Sequence, residues 1–330
     1  MKFICIADIH LSLYSQDSIK KGMPRRLYYL NKTLMSICKY AIKNNIHTIV
    51  IAGDTFHTKS IIHALAQSVL LDLIRKYLGI TFIIIDGNHD MSSKAGDGVS
   101  ALKCLDNEPN VKMIHKTEQI ENVLFVRWDP KQMKIDITIK TADYLVSHFG
   151  LNESMLNSGI SIVSDIGLKD LAHFKNCFIG HYHSPQHVGN VWIPGSIIQL
   201  DWGEKGEEKR FLIIDTDNHI INSIPIDGYQ KHIELEVTPE TIDDVFTKAK
   251  LLKKNGDFVK ILKADSMDTS KFEKEFHVVD KTVRDITNRG IDSSMSLEDK
   301  LIAFLKIKEI PESEYENYLV AAKSIIDNCN

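Results

Sequence analysis

Two stretches of this chain leave no face for water. Ile46–Asp54 reads IHTIVIAGD and Thr81–Asp86 reads TFIIID. Neither alternates apolar with polar residues, so a strand made from either must be covered on both sides. Ile61–Leu78, between them, has helical spacing. Upstream, Lys2–Asp8 reads as a strand, and Arg26–Asn44 carries Leu27, Leu30, Leu34, Ile37 and Ala41 at helical intervals. Strand, helix, strand, helix, strand of this kind predicts an α/β fold with a parallel sheet between covering layers.

The next region is denser in strands. Val123–Trp128, Tyr144–His148, Cys177–Gly180, Val191–Pro194, Phe211–Asp215 and Ile220–Ile226 predict a second sheet packed on the first. After about Asp227 the pattern changes to a small α+β region. His232–Val237 and Phe258–Leu262 read as strands and Pro239–Lys254 as a helix, with Thr238 as its N-cap. Lys271–Phe276 reads as the start of another helix. Gly290–Ser296 is Ser-rich and reads as a linker to two helices, Leu297–Leu305 and Glu312–Asp327. The expected boundaries fall at 1–227, 228–290 and 291–330. A length of 330 residues is enough for this division. No apolar run is long enough to cross a bilayer, and the opening MKFICIADIH reads as a strand, not a leader. Cys5, Cys38, Cys104, Cys177 and Cys329 are scattered without zinc-ribbon spacing, which suits free thiols in a reducing cytosol.

Four motifs come directly after predicted strands: Asp8-Ile9-His10, Gly53-Asp54-Thr55-Phe56-His57, Gly87-Asn88-His89-Asp90 and Gly180-His181-Tyr182-His183. His148 ends a further strand. In an open α/β sheet the ligand crevice lies at the carboxyl ends of the strands. Asp8, His10, Asp54, Asn88, His148, His181 and His183 offer carboxylate, amide oxygen and imidazole, with no thiolate. That mixture suits Mn, Fe or Zn, and Mg less well. The set is too large for one four-coordinate ion. It suits two ions sharing a carboxylate, an arrangement that clamps phosphate and activates water. Gly53, Gly87 and Gly180 at the strand exits are expected to supply backbone angles that other residues avoid.

Taken singly, these residues have ordinary structural readings. Asp8 could cap a helix, Asn88 could sit in a turn, and His148 could be a core histidine. His181 and His183 could be outward residues of an edge strand. All of those readings would have to hold at once, at strand ends and in this order. Histidines 47, 63, 115, 173, 187, 219, 232 and 277 lack such neighbours and keep the structural reading.

The ordered set DxH, GDxxH, GNHD, lone His and GHxH resembles the calcineurin-like metallophosphoesterases. Protein phosphatases of that superfamily read GDxxDRG and GNHE where this chain has GDTFH and GNHD. Ile193-Pro194-Gly195-Ser196, then Trp202-Gly203-Glu204 and KRFLIIDTD, resemble the segment after GHxH in SbcD-type nuclease subunits. The likeness in motifs spans about residues 1–217. In size the chain looks most like phage recombination members. The resemblance implies a two-sheet metallophosphoesterase sandwich flanked by helices, plus a small α+β capping domain and C-terminal helices. It implies one metal on Asp8, His10, Asp54 and His183 and a second on Asp54, Asn88, His148 and His181, with Mn²⁺ preferred and Mg²⁺ as the alternative. His89 would assist the leaving oxygen, Asp90 would orient His89, and His57 would help place DNA at the rim or make a supporting hydrogen bond.

A two-metal exo- and endonuclease for DNA ends is the implied activity, with DNA and an SbcC-type coiled-coil ATPase as partners. A homodimer through the Ile61–Leu78 helix, docking of the C-terminal helices on the ATPase, and a cytoplasmic location (the host bacterium's, if phage-encoded) go with it. The chain has no GxxxxGK[ST] loop of its own for ATP. Its net charge of −4 means that DNA must be held by a local patch, the metals or a partner. The alternatives are a metallophosphoesterase for a small phosphodiester or phosphoprotein, and a non-catalytic DNA-binding scaffold.

Overall fold

The structure, a computed structural model, describes residues 1–13, 18–58, 61–93, 98–155, 164–263, 268–280, 296–307 and 310–327. The first compact unit comprises Met1–Glu234 and Thr247–Lys260. It opens with β1 (Lys2–Ile6), a hairpin of β2 (Ile19–Lys20) and β3 (Met23–Pro24), and α1 (Arg25–Lys43). Then come β4 (Thr48–Ala52), α2 (Ala64–Lys76), β5 (Thr81–Ile85) and β6 (Val111–Ile114). β1, β4, β5 and β6 run parallel in that order, as the unbroken apolar strands require. The predicted pattern is therefore present, with the strands and α2 shorter than expected and α1 shifted by one residue. The strand exits that carry the motifs leave the ladder as loops.

The second sheet contains β7 (Glu118–Ile120), β8 (Val123–Val126), β9 (Tyr144–His148), β10 (Asn176–Gly180), β11 (Gln186–Val188) and β12 (Val191–Ile193), in the order β11-β12-β10-β9-β8-β7. Two four-residue helices, α3 (Met133–Asp136) and α4 (Leu168–Leu171), interrupt it. Phe211–Asp215 and Ile220–Ile226 do not join this sheet. They form β13 (Arg210–Asp215) and β14 (Ile220–Pro225), which extend the first sheet in the order β14-β13-β1-β4-β5-β6. β13 pairs antiparallel with β1, Phe3 opposite Ile214. The reason is visible in its side chains. Phe211 and Ile213 join the core under α1 and α2, while Leu212 and Ile214 join the core between the sheets. A strand of the first sheet reaches both.

The same alternation explains why β1, β4 and β5 have no polar face. Ile4, Ile6, Ile49, Ile51 and Ile84 pack under α1 and α2. Phe3, Cys5, Val50, Ile83 and Ile85 meet Phe125, Tyr144, Val146 and Phe178 of the second sheet. Leu124, Leu145, Cys177 and Ile179 turn to a third cluster with Phe149, Leu151 and Leu171. Cys5, Cys38, Cys104 and Cys177 are free thiols.

The remaining elements are β15 (His232–Val237), α5 (Ile242–Asn255), β16 (Phe258–Lys263), α6 (Ser270–Glu273), β17 (His277–Asp280), α7 (Leu297–Ile307) and α8 (Tyr315–Asp327). The strands are ordered β15-β16-β17. The second compact unit comprises Leu235–Phe246 and Ile261–Asn330, so the division runs through β15, α5 and β16. Within it Phe246 packs edge-on against Phe272 at 5.3 Å. Thr238 is not the cap of α5. The helix begins at Ile242, and the Thr241 carbonyl accepts from Val245 N–H at 2.9 Å. Thr238 and Thr241 instead close a turn through their hydroxyls, 3.1 Å apart. Of the Gly290–Ser296 linker, all but Ser296 lies outside the described residues. No helix among the described residues is long and apolar enough to cross a membrane.

Candidate metal centre

The exits of β1 and β4 run side by side beyond the sheet. Asp8 N–H donates to Gly53 O at 3.1 Å, His10 N–H to Asp54 O at 3.0 Å and Leu11 N–H to Thr55 O at 2.8 Å. This pairing forces unusual backbone angles on the residues that carry the chemistry. Asp8, His10 and Asp54 have φ of 51°, 52° and 52°, and His181 has 102°. Such values are rare outside glycine and cluster at functional sites. Of the three glycines, only Gly53 supplies a positive angle, φ 84°. Gly87 and Gly180 are needed for room instead. A Cβ at Gly180 would stand 2.1 Å from Ala52 O, and one at Gly87 would stand 2.2 Å from Asp54 Oδ1.

All seven expected donors come together. Asp54, 2% exposed, lies between two histidines. Its Oδ2 is 3.6 Å from His10 Nε2 and its Oδ1 is 3.4 Å from His148 Nε2. His10 Nε2 faces His183 Nε2 at 3.0 Å. Asn88 Oδ1 stands 3.1 Å from His148 Nε2 and 3.0 Å from His181 Nδ1. Both Asp8 oxygens accept the His181 backbone N–H at 3.1 Å. His148 donates Nδ1–H to Ala52 O at 2.9 Å, which turns Nε2 into the site.

Electrostatics separates these groups. Burial pushes the Asp8 carboxyl up to about 7. Burial also opposes ionisation of Asp54, but His148 and His10 outweigh it and hold Asp54 well below the usual carboxylate range. Burial disfavours a charged His148, yet Asp54 raises that imidazole to about 9. Burial lowers His10, and it lowers His181 to about 4 with His148 adding to the effect. Carboxylates, an amide oxygen and imidazole nitrogens in such an arrangement fit hard to borderline divalent metals. Asp8, His10 and His183, and likewise Asp8, Asp54 and His148, each present ligand atoms within 4.8 Å of one another.

His89, His57 and Asp90 were expected to do work other than binding metal. His89 Nδ1 is 2.6 Å from His57 O, and the ring stacks on His57 at 5.7 Å with an interplanar angle of 15°. His57 is exposed at the edge, its Nδ1 3.3 Å from His10 Nδ1. Asp90 does not orient His89. Its buried carboxylate accepts the backbone N–H groups of Thr55 at 3.1 Å, Phe56 at 2.9 Å and Gly87 at 3.0 Å. It thereby ties the β4 and β5 exits to each other. Histidines 47, 63, 115, 173, 187, 219, 232 and 277 belong to no metal-competent group among the described residues; His219, for example, pairs with Tyr144 Oη at 2.6 Å.

One supporting pair was not anticipated from residue chemistry. Glu204, fully buried, accepts from His183 Nδ1–H at 3.0 Å, and its other oxygen meets Lys209 Nζ at 2.6 Å. The Glu204 bond outweighs burial and raises His183, while His183 and Lys209 hold Glu204 down at about 2. Lys209 also donates to His183 O at 3.0 Å. The available signal was Trp202-Gly203-Glu204, which no ligand pattern marks as part of the site. Lys209→Met should lower unfolding stability by about 3–5 kcal/mol in chemical denaturation, because it strands a buried carboxylate. A loss under about 1 kcal/mol would mean that the pair is not ionised.

A family model described as calcineurin-like phosphoesterase matches residues 1–208. The chain is 25% identical over 238 residues to exonuclease subunit 1 of Enterobacteria phage T4, covering 68% of each chain. It is 23% identical over 298 residues to the SbcD subunit of the SbcCD nuclease of Staphylococcus epidermidis, covering 78% of each. Among solved structures, Pseudomonas putida nuclease MPE is 12% identical with a TM-score of 0.31, over 72% of this chain and 80% of that one.

Proposed function

We infer that this chain, which belongs to the calcineurin-like phosphoesterase family, is a two-metal nuclease that processes DNA ends in recombination and repair. It is a metal-dependent phosphodiesterase of the nuclease kind, and its family works with divalent metals. The observation that carries the two-metal reading is Asp54, whose two oxygens face His10 and His148 separately. Asp8, His10, Asp54 and His183 would hold one ion, and Asp54, Asn88, His148 and His181 the other. Mn²⁺ is favoured over Mg²⁺ because imidazoles are in the set. When bound, such a pair supplies Lewis-acid stabilisation of phosphate charge and a more acidic attacking water.

The chain's own residues then divide the remaining work. A carbonyl can only accept, so His89 Nδ1 carries the proton toward His57 O. His89 Nε2 is left as the atom that, when the ring carries a proton on each nitrogen, gives one to the leaving oxygen while Nδ1–H stays on His57 O. His57, stacked on that ring, backs it and lies where a strand would enter. Glu204 and Lys209 hold the His183 ring and backbone in place.

An ATPase subunit of the SbcC type completes the proposal. α7 and α8 expose Phe304, Tyr318 and Val320, at 47%, 43% and 62%, and such apolar positions suit docking on a partner. A homodimer through α2 and a cytoplasmic site of action, the host's if the chain is phage-encoded, belong to the same reading. The test is cleavage of linear duplex and single-stranded DNA in Mn²⁺ and in Mg²⁺, with and without the ATPase. Mn²⁺-dependent cleavage, abolished by chelator, is expected. Deleting residues 297–330 should leave it intact and remove stimulation by ATP. Hydrolysis of cyclic nucleotides with no attack on DNA would overturn the reading.

A further inference from the structure

The net charge of −4 is unevenly spread. From Ser18 to Gly53 the chain carries seven Lys and Arg and no Asp or Glu. From Thr247 to Gly256 it carries four Lys and again no acid. These segments are far apart in sequence, and the fold brings them together. Arg25 Nη2 donates to Asp257 O at 3.1 Å and lies 3.5 Å from Lys253 O. Tyr29 Oη donates to Asn255 O at 2.9 Å. The start of α1 therefore abuts the end of α5, and their cations share one face. Lys21, Lys32, Lys253 and Lys254 are exposed.

The helix start itself does not favour this concentration of cations. The first turn of α1 has no acidic residue and its cap makes no side-chain hydrogen bond. Arg25 and Arg26 occupy that turn, at the end of a helix that favours acids. Aromatic rings are interleaved with the charges. Arg25 and Arg26 lie 5.6 and 5.1 Å from the Phe258 ring centroid, and Lys20 lies 4.5 Å from that of Tyr29. Asp257, at the border, accepts from Lys231 N–H at 3.0 Å.

The face also reaches the metal centre. Arg26 Nη1 donates to Leu200 O at 2.8 Å, Leu200 N–H donates to Glu204 at 3.1 Å, and Glu204 holds His183. The opposite end of α1, with Lys39 and Lys43, must lie at the amino edge of the sheet, because α1 leads into the parallel strand β4.

We propose that the face formed by the β2–β3 hairpin, the first half of α1 and the last turns of α5 holds the backbone phosphates of a duplex DNA arm leading to the metal centre. This rests on the nuclease reading. The contact is independent of base sequence, since Lys and Arg that meet phosphates carry no information about base edges. It supplies the local basic patch that an acidic chain needs.

The test compares two triple variants of the full chain. Lys21→Gln/Lys32→Gln/Lys254→Gln removes charge from the face. Lys39→Gln/Lys43→Gln/Lys76→Gln removes the same charge at the far ends of α1 and α2. Duplex binding is followed by fluorescence anisotropy in chelator across a salt series, and hydrolysis of bis(p-nitrophenyl) phosphate reports the centre itself. Each lost phosphate contact flattens the plot of log affinity against log salt by about 0.9. The first variant should therefore lose about 2–3 units of slope and raise KM on DNA, with hydrolysis of the small diester unchanged. The second should keep its slope. Equal slopes in the wild type and the first variant, or equal losses in both variants, would overturn the proposal while leaving the nuclease reading intact. A wild-type chain that hydrolyses the small diester but neither binds nor cuts duplex would sink the nuclease reading and the DNA face with it.

Discussion

Asp54→Asn should lose both ions and nearly all cleavage, and should be more damaging than Asp8→Asn. Asp54 presents one oxygen to His10 and the other to His148, whereas Asp8, though within reach of ligand atoms of both groups, has both oxygens engaged by the His181 backbone N–H. Removing the Asp54 charge leaves two cations without a shared anion. Lewis-acid stabilisation is worth several kcal/mol, so a fall of about 10³–10⁴-fold in kcat is expected. Asp8→Asn should weaken one ion and keep measurable activity at high Mn²⁺. Elemental analysis of both proteins beside a nuclease assay decides the matter. Retention of two metals and near-normal rates in Asp54→Asn would make a bridging carboxylate untenable. Asn is the right replacement at both positions because it tolerates their left-handed backbone, at φ of 51° and 52°.

His89→Ser should behave differently. The ring is anchored by His57 O and packs edge-on against His10 at 5.0 Å, and the residue's backbone N–H donates to Asp54 Oδ1 at 2.8 Å. Serine keeps that N–H. Metal content should therefore be unchanged, while DNA cleavage falls by about 10²–10⁴-fold, the usual range for general acid–base help. Hydrolysis of bis(p-nitrophenyl) phosphate should change by less than about tenfold, since p-nitrophenolate leaves without a proton. Loss of metal, or equal losses on the two substrates, would show that His89 serves the ions or the attacking water instead.

Much of this was legible in the sequence because burial on both faces writes itself into every position of a strand. The unbroken apolar runs at Ile46–Asp54 and Thr81–Asp86 could only be internal parallel strands, and the donors at their ends had to share one edge. What could not be read was anything set by three-dimensional proximity between distant segments. Asp90 looked like a partner for its neighbour His89, yet its carboxylate serves three N–H groups, two of them on the β4 exit and one at the start of its own turn. Gly180 looked like a matter of backbone angle and is a matter of the carbonyl of Ala52 beside it. Phe211–Asp215 has the composition of either sheet, and only the open edge of β1 assigns it. Nothing in the sequence marks Lys209 as the partner of Glu204, and only the fold buries the two together.

The left-handed angles at Asp8, His10, Asp54 and His181 bear on whether such a centre can be moved. Each angle is disfavoured by its own residue, at a cost of order 1 kcal/mol or more. The short peptides around these residues, cut free, would relax away from the geometry that aims their side chains. What holds Asp8, His10 and Asp54 is the rung-by-rung pairing of the β1 and β4 exits and the clasp of Asp90 on the β4 and β5 turns, and His181 is held by its N–H on the Asp8 carboxylate. Grafting the motifs onto another scaffold would transplant the donors without the frame that bends them. A designer wanting this chemistry elsewhere must carry over two adjacent parallel strands, their paired exits and the buried carboxylate behind them, as one piece.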